Sequence, residues 1–260
     1  MNARKLLKWA APLAAASMIL TACGTDDKTS STGDKEYTKI VAGTEATYAP
    51  FEYMDDKGNV VGLDADILAA IGEEMGIETE IKNVGWDSML SQVTTGEIDM
   101  GAAAITITDD RKKTYDFTDP YYEATLLIVT KEGSSIASLE DIKDKKIAVQ
   151  LNTTGHKAAQ DLQGVASSNI LGYENFSIAL TEVLTGSADA AIGDNAVILE
   201  YLENNPESGL KAIEDDSFEK DYFGFMVKKG NTELLNILNE GLDKIKANGK
   251  LAEITGTEIE

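Results

Sequence analysis

One cysteine and one histidine are a small supply of reactive side chains for 260 residues. With Cys23 alone, no disulfide can close within the chain. With His156 alone, no Cys–His metal cluster can form. Neither a metal nor another cofactor is expected. Basic residues are also scarce: 23 Lys and Arg stand against 45 Asp and Glu, a net charge of -22. So acidic a surface repels phosphate backbones and excludes nucleic acid as a partner. The longest apolar stretch, Trp9 to Ala22, is broken by Pro12, Ser17 and Thr21. It falls short of the ~20 residues of a membrane-spanning helix. The remaining composition, 43% hydrophobic and 26% charged, is that of a globular chain long enough for one or two domains.

Arg4, Lys5 and Lys8 precede the apolar stretch, and residues 1–22 read as a secretory signal. The stretch ends in Leu20-Thr21-Ala22-Cys23-Gly24, which resembles a bacterial lipobox. That resemblance implies cleavage before Cys23 and lipidation of its sulfur. Two acyl chains suffice for stable anchoring, so the expected place is the outer face of the bacterial cell membrane. Residues 23–36 are polar and without apolar periodicity, a flexible tether. The folded part is expected from Tyr37.

From there, β-type runs alternate with helical ones. Lys39–Gly43 and Glu78–Val84 read as strands, and Asp64–Gly76 and Asp87–Thr95 as helices, followed by a small-residue strand at Asp99–Ala104. The rhythm restarts with strands at Lys146–Gln150, Asn169–Tyr173 and Ala188–Gly193, and with helices at Gly155–Leu162, Asn175–Thr185 and Asn195–Asn204. This is α/β architecture with mostly parallel sheets flanked by helices. Thr95-Gly96-Glu97-Ile98-Asp99 is echoed by Thr185-Gly186-Ser187-Ala188-Asp189, each a helix cap followed by a strand. The echo suits two related lobes. Extended crossings are expected at Thr125–Thr130 and Tyr222–Val227, and a closing helix at Thr232–Asn248. The boundaries follow: lobe 1 from 37–122 plus 223–260, lobe 2 from 123–222. Ligands of such sheets sit beyond the carboxyl ends of the strands, here Ala104 to Thr106 and Gly193-Asp194.

Gly43-Thr-Glu-Ala-Thr-Tyr-Ala-Pro-Phe-Glu-Tyr53, Val61-Gly-Leu-Asp-Ala-Asp-Ile67, Ile105-Thr-Ile-Thr-Asp-Asp-Arg-Lys112, Asp116-Phe-Thr-Asp-Pro-Tyr-Tyr122, Ser138–Lys143 and Ala148–Gly155 occur in order. Together they resemble family 3 extracellular solute-binding proteins over nearly all of Tyr37 to Leu251. The resemblance implies a two-lobe type II periplasmic-binding-protein fold with a two-strand hinge. It also implies a polar free amino acid as ligand, an ABC transporter permease as partner, and a monomer. The chain departs at Ile254-Thr255-Gly256, where the family has a Lys-Trp-Phe-Gly-like segment.

A free amino acid presents a carboxylate and an ammonium on one carbon. Arg111 is the candidate for the carboxylate, because its planar fork binds both oxygens. Asp194, a lone acid after an apolar strand, is the candidate for the ammonium; its other role would be to cap the next helix. By resemblance, Thr106 and Thr153 supply donors to the carboxylate, and Ala104 its carbonyl to the ammonium. Tyr48 and Trp86 offer ring faces to the ligand's side chain. Glu45 and Gln150 are the specificity candidates, an acid for a basic side chain or a pair for an amide. Arginine or another basic amino acid is therefore expected first, glutamine next. Phe51 reads as packing behind Pro50, and His156 as a solvent-facing helical residue. Asp55–Asn59 reads as a hairpin turn rather than a calcium loop. Two other readings remain. Some relatives with this fold are dehydratases of small carboxylic acids, for which Glu45 is the acid available. Others are receptor subunits that signal through a membrane partner.

Overall fold

Alternation of short strands with amphipathic helices is what the backbone adopts. The computed structural model describes residues 37–259, so the signal segment, Cys23 and the tether lie outside the described residues. In chain order come β1 (Lys39–Thr44), β2 (Thr47–Tyr48), β3 (Glu52–Met54), β4 (Val60–Val61), α1 (Leu63–Met75), β5 (Glu78–Asn83), α2 (Trp86–Thr95), β6 (Met100–Gly101), α3 (Asp109–Lys112) and β7 (Tyr115–Phe117). β8 (Tyr122–Ala124) leads into β9 (Leu126–Lys131), β10 (Ile147–Gln150), α4 (Thr154–Gln163), β11 (Ile170–Tyr173), α5 (Phe176–Thr185), β12 (Ala190–Asp194), α6 (Asn195–Asn204) and β13 (Leu210–Ile213). β14 (Asp221–Phe223) returns to β15 (Met226–Lys228), α7 (Thr232–Ala247) and α8 (Lys250–Thr255).

Two five-stranded sheets share one plan. The first runs β5-β1-β6-β15-β7 and the second β11-β10-β12-β9-β13. In each, three parallel strands meet a fourth that returns antiparallel. The internal echo has a physical counterpart. Gly96 and Gly186 both end their helices in the left-handed conformation, at φ 81°, which glycine adopts without a Cβ penalty. Asp99 then accepts the N–H of Val41, and Asp189 that of Lys146, each at 2.9 Å. One device thus starts the third parallel strand of both sheets.

Helix α1 buries Ile67, Leu68 and Ile71 and leaves Met75, at the same helical spacing, half-buried, while α7 buries Leu234, Leu238, Leu242 and Ile245. The chain passes between the sheets on β8 and β14, which pair antiparallel with Tyr222 opposite Glu123. Phe51 packs edge-on against both crossings, 4.9 Å from Tyr122 and 5.1 Å from Phe223.

The structure corrects several expected boundaries. Leu126–Lys131 is an interior strand of the second sheet, paired with β12 and β13. Its run Leu-Leu-Ile-Val is buried on both faces, as an interior strand requires, so the outward crossing is Tyr122–Ala124. The return crossing ends at Phe223, and Met226–Lys228 belongs to the first sheet. The strand expected at Asp99–Ala104 pairs only at Met100–Gly101, because Ala104 turns to a φ of 45°. After α7 a separate short helix, α8, closes on Gly256 and buries Leu251. The loop after β3 is the expected hairpin turn: Asp55 accepts from the backbone of Lys57 and Asn59, and Gly58 sits at φ 83°.

Candidate functional site

The carboxyl ends of the parallel strands of both sheets converge on one cleft. Glu45, Tyr48, Trp86, Ala104, Thr106, Arg111, Gln150, Thr153 and Asp194 all line it, with Glu52, Ala103 and Thr154. The empty space among these residues, its open mouth included, is about 320 Å³.

Arg111 lies in the one-turn helix α3, where the Thr108 side chain caps its N–H. Its guanidinium donates to the carbonyl of Thr106 at 2.8 Å and, across the cleft, to that of Asn152 at 3.2 Å. It lies over the Trp86 ring at 5.2 Å. One ring face that the sequence offered to a ligand side chain thus carries the arginine. Burial lowers the Arg111 pKa, while Asp194 and Asp221 act in the opposite sense. A guanidinium remains charged in such a place.

On the opposite wall, Asp194 ends β12 at the N-cap position of α6, but its side chain makes no cap hydrogen bond. Instead it accepts from the hydroxyl of Tyr48 at 2.5 Å. Burial pushes its pKa up to about 6, against the opposing effects of the Tyr48 hydrogen bond and the Arg111 charge. Thr153 caps α4 through the N–H of His156 and donates to the carbonyl of Gln150 at 2.7 Å. Thr106 is buried and bridges to Phe223 of the return crossing.

Glu45 is held by the hydroxyl of Thr47 and meets the side chain of Gln150 across the cleft. Burial pushes its pKa up to about 6. Gln150 also donates to the carbonyl of Glu174 at 3.2 Å. His156 is half-buried and accepts the N–H of Asn152 on its Nδ1. It therefore props the turn that faces Arg111, a role its helical position did not suggest.

Sequence reasoning missed Glu52 and Asp221. Glu52 faces Tyr48 across the β2–β3 pair and is 1% exposed, and its Oε2 has no hydrogen-bond partner. Burial raises its pKa well above the ordinary value, and the charges of Asp64, Glu45 and Asp194 add to that. Asp221, on the return crossing, is raised by burial and drawn down by Arg111. The Pro-Phe-Glu run around Glu52 read as packing, and Asp221 sat in a run of solvent-type charges, so only the third dimension exposes them. Several acids therefore surround one guanidinium.

Known proteins of the same fold and family resemble this chain. The model of bacterial extracellular solute-binding proteins, family 3, matches residues 40–257. A probable histidine-binding protein of Neisseria gonorrhoeae is 33% identical over 250 residues, 95% of this chain and 93% of the relative. Among solved structures, the arginine-, lysine-, histidine-binding protein ArtJ of Geobacillus stearothermophilus is 43% identical with a TM-score of 0.81, covering 85% of this chain and 97% of that one. An ancestral arginine-binding protein bound to arginine is 38% identical with a TM-score of 0.80, over 86% and 99% of the two chains. The architecture is the two-lobe type II periplasmic-binding-protein fold, and the chain belongs to the bacterial extracellular solute-binding proteins of family 3.

Proposed function

We propose that this protein captures a free L-amino acid with a cationic side chain, arginine first, between its lobes and delivers it to the permease of an ABC importer. The observation that carries the amino-acid reading is the placement of Arg111 and Asp194 on facing walls of one cleft. Each charge of the zwitterion has its complement there. The preference for a cationic side chain rests on Glu45, a cleft acid that neither Arg111 nor the ligand's ammonium engages in this account, as the partner of the distal cation. It also fits the relatives named for arginine. Glutamine is the second reading, because the Glu45–Gln150 pair offers an acceptor and a donor to an amide.

In this account the ligand carboxylate takes the second face of the Arg111 fork and the backbone N–H of Thr153, whose hydroxyl is engaged with Gln150, while the ammonium takes Asp194. The lobes rotate on β8 and β14, with lobe 1 formed by 37–122 and 223–260 and lobe 2 by 123–222. The closed state gains because only then do both charged walls reach one molecule. The working unit in this account is a monomer. Lipid on Cys23 would hold it at the outer membrane face, and Cys23→Ala should release it into the medium.

A thermal-shift screen of the twenty amino acids, followed by calorimetry, tests the reading. L-arginine should give the largest shift. Agmatine, which lacks the carboxylate, should give none. A screen in which no amino acid shifts the midpoint, or in which glutamate and aspartate lead, overturns it.

A further inference from the structure

Asp64 is completely buried in the first turn of α1, yet among the described residues no cation partners it. A buried carboxylate is expensive to keep and calls for a specific use. Its bonds point to one. Oδ2 accepts the N–H of Ala104 at 2.9 Å and the hydroxyl of Tyr121 at 2.9 Å. Tyr121 is itself fully buried, lies 4.7 Å from Phe225, and precedes the outward crossing.

Ala104 lines the cleft in an unusual backbone conformation. With φ at 45°, it is one of two non-glycine residues with positive φ among the described residues. The other is Asn152, whose carbonyl accepts from Arg111. Alanine has no side chain to compensate that conformation, so it persists only when its surroundings fix it. Asp64 does so: its oxygen fastens the N–H on the side of α1. The polar backbone atom left at this position for a ligand is the carbonyl. An N–H held by a carboxylate fixes the plane of its own peptide, the one joining Ala103 to Ala104, and with it the φ from which the Ala104 carbonyl is aimed.

We propose that Asp64 is a positioning residue that fixes the backbone at Ala104, so that its carbonyl receives the ligand's α-ammonium beside Asp194. This rests on the amino-acid reading above. It assigns a use to the Asp64–Tyr121 pair that neither stripe periodicity nor helix capping requires.

The test pairs two ligands with three proteins. L-Arginine and 5-guanidinopentanoic acid, the same molecule without its α-ammonium, are titrated into wild type, Asp64→Asn and Asp64→Leu by calorimetry, with millimolar thermal shift for weak binding. Wild-type binding of L-arginine checks the underlying reading first, so its failure is separate. Asp64→Leu, shown folded by a cooperative melt, should weaken L-arginine at least tenfold and leave the des-amino ligand within threefold. Asp64→Asn keeps an acceptor and should fall between wild type and leucine. Equal weakening of both ligands, or wild-type affinity in the leucine variant, overturns the proposal. Should the leucine variant not fold, amide hydrogen exchange on the wild type decides. Ala104 lies outside every strand, so a slowly exchanging N–H supports the Asp64 bond, and an unprotected one overturns it.

Discussion

Asp194 is a burden on the fold that its place in the cleft explains. It is 8% exposed, and burial lifts its pKa from 3.8 to about 6. An acid raised on folding favours the protein when protonated. The penalty is absent below pH ~4, grows between the two values and is complete above pH ~6. Two units correspond to up to about 3 kcal/mol. Asp194→Asn keeps an acceptor for Tyr48 and removes the charge. In differential scanning calorimetry it should raise the unliganded melting midpoint by roughly 5–10 °C at pH 7.5, with no gain at pH 4. Glu45 titrates in the same window but is common to both proteins and cancels in the difference. The same variant should lose amino-acid binding. A variant no more stable at pH 7.5 than at pH 4 would show that the carboxylate is not penalised. Arg111 carries the complementary prediction. Its two hydrogen bonds to carbonyls on opposite walls need the planar fork. Charge-assisted bonds are each worth about 1.5–3 kcal/mol. Arg111→Lys should therefore weaken binding by at least tenfold in calorimetry, and Arg111→Ala should abolish it. Near-normal affinity in the alanine variant removes Arg111 from the site.

Strand β12 and helix α4 bring Asp194 and Thr153 to the same edge through one close approach. Gly155, in the first turn of α4, sits where an added Cβ would lie 2.5 Å from the carbonyl oxygen of Ile192. That oxygen belongs to the backbone of β12 and cannot swing aside. Gly155→Ala should therefore push α4 off the sheet and part Thr153 from Asp194. The expected result is a folded protein with a far-ultraviolet spectrum like wild type and amino-acid affinity lowered tenfold or more. Unchanged affinity would mean that the two elements do not set the geometry of the cleft. This contact marks where the sequence stopped being readable. Asp194 stood out as a lone acid at the end of an apolar strand, and Arg111 for its planar fork within the family-like run Ile105–Lys112. Their neighbours along the strands could be placed from period and caps alone, and α6 spans the residues its pattern assigned. Glu52 and Asp64 did not stand out. They lie among apolar or helical residues where an acid reads as solvent-facing; Glu52 pairs with the neighbouring strand β2 under the cleft wall, and Asp64 meets Tyr121, distant in the chain. The crossings were misplaced for a related reason. Leu126–Lys131 looks like any extended apolar run until two partners are seen to flank it. The peeling of the chain at Ala104 depends on a single oxygen forty residues upstream.

Closure is where the lobes act together. Tyr48 to Asp194, Glu45 to Gln150, Arg111 to Asn152, Ser177 to Thr47 and Asn152 to Asp87 all join one lobe to the other. The first three involve residues that line the cleft and the last does not, since Asn152 donates to Asp87 at 2.8 Å on the exposed rim. In the proposed closure that contact acts as a latch that holds the lobes together without meeting the ligand. Its net value as an exposed hydrogen bond is about 0.5–1.5 kcal/mol. Apparent affinity scales with the fraction of protein able to close, so Asp87→Ala should weaken L-arginine by roughly two- to tenfold. The loss should appear as faster dissociation in stopped-flow fluorescence, because association precedes formation of the latch. Small-angle scattering supplies the second half of the test. Saturating L-arginine should shrink the radius of gyration of wild type and of Asp87→Ala to the same value. Without ligand the alanine variant should be the more open of the two. A radius that does not change on adding ligand to either protein would mean that the amino acid binds to a cleft already shut. The cross-cleft bonds would then be features of a rigid protein, and the two paired crossings would not be its hinge.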